Sequence, residues 1–255
     1  MRPQLNPGAR ALLDVSEISR ALATPYWRVS LVDEIDSTQT ALRASSPSAG
    51  DVLVTEFQSA GRGRLDRTFS ATKGSALLFS FYMQPTRTKT EWGFIPLLAG
   101  LTVAEVLNVH THSDKYSTKW PNDILINTKK VAGLLAEVSG DGVIVGIGIN
   151  VSMTDDQLPV PTATSLFIES GQTIDRNALL ADLLNAFAKN FQSWERGADL
   201  RGHYRGLSST LGSKIEISRP DGTNQAGTAI DIDLSGALIL AGGEVVTVGD
   251  ISHIR

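Results

Sequence analysis

Residues 129–151 read KKVAGLLAEVSGDGVIVGIGINV. The stretch holds two apolar runs, 130–138 and 142–151, that are rich in Val, Ile and Leu and bounded by Asn, Asp or Gly, as β-strands are. Similar β-rich runs precede them at residues 51–57, 75–83, 117–120 and 124–127. A first strand is expected near residues 27–32. We expect these runs to form the sheet that carries the rest of the chain.

Helical spacing of apolar residues interrupts the strand runs. It predicts helices at residues 94–110 and 177–194, with Asp175 as the N-cap of the second. A short amphipathic helix is expected at residues 9–23, with Leu12, Leu13, Ile18 and Leu22 facing inward. Strands mixed with helices in this order predict an α+β fold with a mixed or antiparallel sheet.

The last 45 or so residues have a different character. Short strand runs, SKIEIS, QAGTAIDI, ALIL and EVVTV, alternate with turn sequences such as RPDGTN and AGGE. This spacing predicts a small all-β barrel. We therefore expect two domains, residues 1–207 and residues 208–255.

Composition restricts the kind of function. The net charge is −4 and the pI about 5.6, so affinity for nucleic acid over the whole surface is not expected. The chain has no cysteine, which excludes thiolate nucleophiles, thioester intermediates and cysteine zinc sites. About thirty residues before the first strand leave no room for a three-helix DNA-binding head. With no apolar leader and no long apolar span, we expect a cytoplasmic protein without membrane contact.

A loop with two glycines and two arginines follows the strand that ends at Gln58. Its sequence, QSAGRGR at residues 58–64, allows backbone N–H groups to approach an anion, while arginine supplies fork-shaped donors. The alternative is a solvated arginine loop. Ser37 or Thr38 in DST is expected to cap a short helix and to present its hydroxyl at a strand end.

Two further motifs carry polar groups. TKWPNDILI, residues 118–126, is expected to be an exposed turn that brings Lys119, Asn122 and Asp123 together, a set that suits a nucleoside triphosphate with Mg²⁺. Asn-Asp as ordinary turn residues is the alternative. Lys130 begins an apolar strand, where desolvation is expected to sharpen its charge, and Gly146 and Gly148 invite close approach of a ligand.

Taken in order, these motifs resemble those of the biotin protein ligases, in the short type without a DNA-binding domain. The matching pieces are DST, QSAGRGR, KWPND, KKVAGLLAE and GIGIN, and the resemblance covers about residues 28 to 255. It implies a catalytic domain like that of class II synthetases and lipoate ligases, with a C-terminal SH3-like barrel. It also implies ATP-dependent activation of biotin to biotinyl-5′-AMP and transfer to a lysine of a biotin carboxyl carrier domain of an acyl-CoA carboxylase.

The resemblance also implies roles for individual residues. Biotin would be bound by Ser37, Thr38, Gln39, Gln58, Gly61, Arg62, Gly63, Arg64, Lys130, Gly146 and Gly148. ATP would be bound by Arg64, Phe69, Lys119, Trp120, Asn122, Asp123, Lys130 and Asn150. Lys130, Arg62 and Arg64 would be catalytic, and Asp123 would bind Mg²⁺. ATP and biotin are substrates in this scheme, and no prosthetic group and no nucleic acid are expected.

Two positions differ from the family's pattern of G-R-G-R-x-G-R-x-W. They hold Asp66 and Phe69, so Asp66 is expected to pair with Arg64 or Arg67, and Phe69 offers adenine a smaller aromatic face. Two alternative functions stay open. One is a lipoate or octanoate ligase or transferase, although the GRGR loop followed by KWPND favours biotin as the substrate. The other is a non-catalytic RNA-binding or adaptor protein.

Overall fold

The computed structural model describes residues 10–65 and 67–254. They form a mixed seven-stranded sheet with helices on both of its faces, followed by a five-stranded antiparallel sheet. The predicted α+β class is therefore confirmed. Closure of the second sheet into a barrel, and the division into domains at residue 208, stay predictions.

The strands of the first sheet are β1 Arg28–Ile35, β2 Asp51–Gln58, β3 Ala76–Met83, β4 Tyr116–Lys119, β5 Asp123–Ile126, β6 Lys129–Ser139 and β7 Gly142–Asn150. Their spatial order is β1-β2-β3-β7-β6-β5-β4. Strands β1 and β2 run parallel, and all the other neighbours are antiparallel. The opening stretch of the sequence supplies β6 and β7, which lie side by side near the centre of the sheet.

The helices are α1 Val15–Ala21, α2 Thr38–Ala44, α3 Ile95–His110, α4 Leu166–Ser170, α5 Arg176–Glu195 and α6 Arg201–Leu207, with 3-10 turns at Lys89–Phe94 and Asp155–Gln157. The second sheet contains β8 Lys214–Ser218, β9 Asn224–Ile232, β10 Leu238–Leu240, β11 Val245–Val246 and β12 Asp250–His253. The last strand was not predicted, because a four-residue run with three polar side chains has no apolar pattern.

Strand β7 divides its side chains between two layers because successive residues point to opposite faces of a sheet. Val145 and Ile149 belong to the main core, where α3 and α5 also pack. Ile144 belongs to a smaller cluster with Leu42 of α2 and Tyr82 of β3. Gly146 and Gly148 follow Ile144 at intervals of two residues and therefore lie on the same face. The face of the sheet that α2 covers carries no side chain at these two positions. The sequence pattern thereby leaves a hollow beside α2.

The N-terminal helix is shorter than predicted. It begins at Val15 because the carboxylate of Asp14 accepts hydrogen bonds from the backbone N–H groups of Ser16 and Glu17. The described residues before it, 10–14, form no regular structure; Leu12 is 71% exposed and Leu13 is buried. Leu12 was therefore wrongly assigned to the core. Residue 9, the predicted start of the helix, lies outside the described residues.

The KWPND segment is not the exposed turn that the sequence predicted. Trp120 is only 2% exposed, and its indole Nε1 donates a hydrogen bond to the carbonyl of Gly236 at 3.0 Å. Its backbone N–H donates to the hydroxyl of Thr210 at 3.0 Å. Partners more than eighty residues away hold this turn against the second sheet, and the sequence pattern around Pro121 gives no sign of them.

One helical segment of the described chain, Lys89–His110, is long and apolar enough to cross a membrane by length and composition alone. Buried residues make up 72% of its apolar window, and the segment packs on α5 and on the first sheet. It is therefore an element of the protein's core.

Candidate active site

The hollow beside α2 is the floor of a cavity of about 110 Å³. Thirteen of the residues that the sequence singled out line it: Ser37, Thr38, Gln39, Gln58, Arg62, Gly63, Arg64, Phe69, Asn122, Asp123, Lys130, Gly146 and Gly148. A second cavity of about 410 Å³ adjoins it, between the two sheets. Both cavities are lined by Arg64, Asn122 and Leu134, so the two spaces meet at these side chains.

A chain of polar side chains forms the inner wall. Ser37 caps α2, and the next residue, Thr38, donates from its backbone N–H and its hydroxyl to the side-chain oxygen of Gln58, at 2.8 and 3.0 Å. The Thr38 hydroxyl also lies 2.8 Å from the hydroxyl of Ser80 on β3. The sequence did not reveal Ser80, although a hydroxyl inside the apolar run of β3 was a usable signal. Buried polar groups that satisfy one another hold this wall in one geometry.

Gln39 lies across the floor. Its amide nitrogen donates to Glu137 at 3.1 Å and to the carbonyl of Ile144 at 3.2 Å. A Cβ atom at Gly146 would lie 2.5 Å from the side-chain oxygen of Gln39 and 3.1 Å from that of Ser80. Only glycine therefore fits beneath this amide without displacing it.

Replacing Gly146 by alanine tests the floor. We expect the KM for the small acid substrate to rise about tenfold, because the added methyl pushes Gln39 into the cavity and displaces ligand atoms. The KM for the nucleotide should change little. Gly206→Ala on α6 is the control, because a Cβ there meets nothing within 4 Å. Equal KM values for wild type and Gly146→Ala would show that the ligand does not reach this floor.

Lys130 and Asp123 face each other at the mouth of the cavity. The Lys130 ammonium lies 2.5 Å from a carboxylate oxygen of Asp123, and its terminal atoms lie 3.0 Å from the position that a Cβ would take at Gly133. Gly133 was not predicted as a site residue, and its role is to leave room for this side chain. The Lys130 side chain is 40% exposed, so the predicted desolvation was wrong. Its ammonium group is instead held in position by the carboxylate of Asp123.

Asp123 is also the predicted Mg²⁺ ligand. Within the described residues no group of three His, Cys, Asp or Glu side chains could hold a metal ion. Next to it, the amide nitrogen of Asn122 donates to the carbonyl of Leu134 at 2.7 Å. One carboxylate and one amide oxygen suit a Mg²⁺ ion that arrives on a triphosphate, because such ions keep most of their ligands as phosphate and water oxygens.

The arginine loop crosses the cavity. Its two arginines that were predicted to be catalytic, Arg62 and Arg64, differ in their hydrogen-bond partners. Both terminal nitrogens of Arg62 donate to the carboxylate of Glu137, at 3.1 and 3.2 Å. Arg64 has a buried Nη1 without a hydrogen-bond partner among the described residues, and its closest carboxylate oxygen, on Asp250, is 3.8 Å away. Burial lowers the pKa of Arg64, and this effect outweighs the nearby charges of Asp250 and Asp123. Such a buried, unsatisfied cation fits an anionic ligand group.

Asp250 of β12 also pairs with Arg67, so the second sheet contacts the loop through one carboxylate. The sequence predicted Asp66 as the partner of these arginines, but Asp66 lies outside the described residues. Phe69 closes the loop, since its backbone N–H donates to the carbonyl of Gly61 at 3.0 Å. Its ring carbons lie 2.7 to 2.9 Å from the position that a Cβ would take at Gly148, so the ring rests directly on that glycine.

Four predicted residues lie outside the first cavity. Gly61 forms the turn of the loop, where a Cβ would lie 2.3 Å from the carbonyl oxygen of Phe69. Trp120 lines the second cavity.

The amide nitrogen of Asn150 is buried and donates to the carbonyl of Thr164 at 2.9 Å, which is a structural contact. Lys119 ends β4. The pKa of His253 is lowered mainly by the burial of its own imidazole and, to a smaller extent, by the charge of Lys119.

The loop residues are expected to exchange their amide hydrogens rapidly in the absence of ligand. Residues 60–65 belong to no helix or strand, and the ion pair that joins this loop to the sheet, Arg62–Glu137, is partly exposed. A ligand bound in the first cavity should slow this exchange, whereas the amides of β7 should be protected in both states. Hydrogen exchange followed by mass spectrometry measures this difference. Strong protection of residues 60–65 without ligand would contradict it.

Comparisons with known proteins agree on one kind of relative. Residues 31–153 match the model of the biotin/lipoate A/B protein ligase family. The biotin–[acetyl-CoA-carboxylase] ligase of Mycobacterium tuberculosis is 34% identical over 241 residues, with 90% of each chain covered. The corresponding ligase of Paracoccus denitrificans is 32% identical, over 85% of this chain and 96% of that one.

A solved structure shares the fold over nearly the same length. The biotin protein ligase of Aquifex aeolicus in complex with biotin and ATP superimposes with a TM-score of 0.78 and 30% identity. The match covers 89% of this chain and 99% of the other.

Proposed function

The chain belongs to the biotin protein ligase family, and we propose that it joins biotin to a lysine of a biotin carboxyl carrier domain in two steps through biotinyl-5′-AMP. The observation that carries this proposal is the cavity itself. A polar inner wall, a bare glycine floor, the Lys130–Asp123 pair and the unsatisfied Arg64 nitrogen lie around one space. This set suits a ligand with a polar ring at one end and a carboxylate that becomes a phosphate ester at the other.

In the first step a carboxylate oxygen of biotin attacks the α-phosphorus of ATP. A C–O–P bond forms, the bond to the β-phosphate oxygen breaks, and pyrophosphate leaves with the electron pair. Negative charge accumulates on the phosphoryl oxygens, and we assign Lys130 and Arg64 to neutralise it. Asp123 holds the ammonium of Lys130 in place, and it would be one ligand for a Mg²⁺ ion that arrives on the triphosphate.

In the second step the neutral amine of the acceptor lysine attacks the carbonyl carbon of the mixed anhydride. An amide bond forms, the bond between the carbonyl carbon and the phosphate oxygen breaks, AMP leaves with the electron pair, and the proton that the amine loses passes to water. No group of the protein becomes covalently modified in this scheme, which agrees with a chain that contains no cysteine. The protein contributes positioning and electrostatics.

The residues proposed to bind the biotin ring are Ser37, Thr38, Gln39 and Gln58, with Gly146 beneath them. Phe69 and Gly148 also line this cavity and are proposed to flank the nucleotide. The missing Cβ at Gly148 leaves room for the tip of the Phe69 ring, and we propose that adenine stacks on a face of this ring that the glycine does not cover.

The acceptor is the carrier domain of a carboxylase, as the names of the relatives in Mycobacterium tuberculosis and Paracoccus denitrificans indicate for those proteins. For this chain we propose an acyl-CoA carboxylase. Because the first step consumes ATP, we also propose that the protein works in the cytoplasm.

A direct test supplies the purified protein with biotin, ATP and Mg²⁺ together with an apo carrier domain, and measures the mass gained by that domain. We expect one biotin per domain, on the acceptor lysine, and no gain when that lysine is replaced by arginine. Because the family model also includes lipoate ligases, lipoate and octanoate are run in parallel. Transfer of lipoate at a rate equal to that of biotin would overturn the assignment.

A further inference from the structure

The carboxylate of Glu137, on strand β6, holds three side chains from two other parts of the chain. Arg62 of the loop donates through both terminal nitrogens, at 3.1 and 3.2 Å. Arg43 of α2 lies at 2.6 Å, and the amide nitrogen of Gln39, also on α2, donates at 3.1 Å. The carboxylate therefore connects the arginine loop to the helix that walls the cavity.

The contact with Arg62 has the geometry of a strong charge-assisted interaction. Two parallel N–H bonds to the two oxygens of one carboxylate fix the orientation of the guanidinium as well as its position. The guanidinium of Arg62 is consequently bound by the protein itself, whereas Arg64, two residues along the loop, has a buried nitrogen that no described residue hydrogen-bonds. The two arginines of GRGR thus have different roles: Arg62 holds the loop, and Arg64 is available to a ligand.

We propose that Glu137 is a positioning residue that acts through Arg62 to keep the loop at Gly61–Arg64 over the cavity and so to retain biotinyl-AMP between the two steps. This inference rests on the proposed function. It also changes the role predicted for Arg62, from a group that contacts the reacting atoms to the anchor of the loop.

Retention matters because the mixed anhydride is reactive. If it leaves before a carrier domain binds, water or any exposed amine can consume it, and the ATP is wasted. The same carboxylate also binds Gln39, whose oxygen lies above the floor at Gly146. A ligand that orders Gln39 therefore also orders the carboxylate that anchors the loop.

The anchor is expected to work across the neutral pH range. Burial opposes ionisation of Glu137, but the hydrogen bond from Gln39 and the charges of Arg43 and Arg62 together outweigh it and lower its pKa. Protonation would weaken the contact only as the pH falls through that lowered value. Glu137 is thus a permanent anchor at neutral pH.

The test measures how long the intermediate stays bound. Wild type and Glu137→Gln are loaded with labelled biotin and ATP, separated from free ligand, and chased with unlabelled biotin. We expect Glu137→Gln to release biotinyl-AMP about five- to tenfold faster, because the substitution removes the charge but keeps the shape. The kcat of pyrophosphate exchange should fall less than about threefold, a split that general loss of structure would not produce.

Arg43→Gln is the matched control. Arg43 and Arg62 bind the same carboxylate and have equal side-chain exposure, 43% each, but Arg43 does not belong to the loop. We expect its release rate to remain within about twofold of wild type, as for a surface ion pair.

The double variant Arg62→Gln/Glu137→Gln shows whether Glu137 acts through Arg62. Its release rate should equal that of Arg62→Gln alone, since the second substitution has nothing further to remove. Should Glu137→Gln fail to fold, Arg62→Gln removes the same contact from its exposed side and must show the same rapid release.

Unchanged release from Arg62→Gln, multiplicative effects in the double variant, or equal release from Arg43→Gln would each overturn the inference. If the wild-type protein forms no biotinyl-AMP at all, the proposed function fails instead. The experiment therefore distinguishes a failure of the inference about Glu137 from a failure of the proposed function.

Discussion

Lys130→Ala is expected to lower biotin-dependent pyrophosphate exchange by about 10³-fold or more, which corresponds to roughly 4 kcal/mol of transition-state stabilisation. The ammonium lies at the mouth of the cavity, 2.5 Å from Asp123, and is available to phosphoryl oxygens. Alanine removes this charge at the point where negative charge develops. Initial rates of exchange at saturating biotin and ATP measure the loss.

The fold should survive this substitution. The backbone N–H of Lys130 donates to the carbonyl of Thr162, and its carbonyl accepts from Thr164, so these contacts remain in the alanine variant. Lys129→Ala removes the same charge one residue earlier, outside the cavity lining, and should change the rate less than about threefold. Exchange by Lys130→Ala at the wild-type rate would remove Lys130 from the proposed chemistry.

Arg64→Ala is expected to lower kcat/KM for exchange by about 10²- to 10³-fold, the usual cost of removing one donor from an oxyanion site. Its Nη1 is buried without a hydrogen-bond partner among the described residues. A phosphate oxygen would satisfy that nitrogen, and alanine loses the interaction. Unfolding free energy should fall little, because the closest carboxylate oxygen, on Asp250, is 3.8 Å away.

Two variants separate geometry from charge at this position. Arg64→Lys keeps the charge without the fork of donors and should recover only part of the rate. Arg67→Ala, three residues along, removes an arginine whose side chain is 66% exposed and paired with Asp250, and should change kcat/KM less than about fivefold. A larger loss in Arg67→Ala than in Arg64→Ala would reverse the roles that we assign.

The strands and the cavity floor could be predicted because they depend on local pattern. Residues 130–138 and 142–151 were recognisable as strands, and glycines spaced by two in a strand necessarily share a face. The capping role of Ser37 likewise depends on its neighbours alone. These residues lie where the sequence predicted.

The contacts that hold the loop could not be predicted because their partners lie far apart in the chain. Arg62 and Glu137 are 75 residues apart, and Arg67 and Asp250 are 183 residues apart. In the sequence alone, Glu137 is one charged residue near the end of an apolar run, and nothing there indicates its contact with Arg62. Trp120 was placed at the surface for the same reason, since Gly236, which accepts its hydrogen bond, belongs to the second sheet.

Biotin-dependent exchange of labelled pyrophosphate into ATP tests the central claim most directly, because it reports adenylate formation without any acceptor protein. We predict rapid exchange that requires biotin and Mg²⁺ together, with lipoate and octanoate giving at most a few per cent of that rate. Absence of exchange with biotin, or equal exchange with lipoate, would contradict the account.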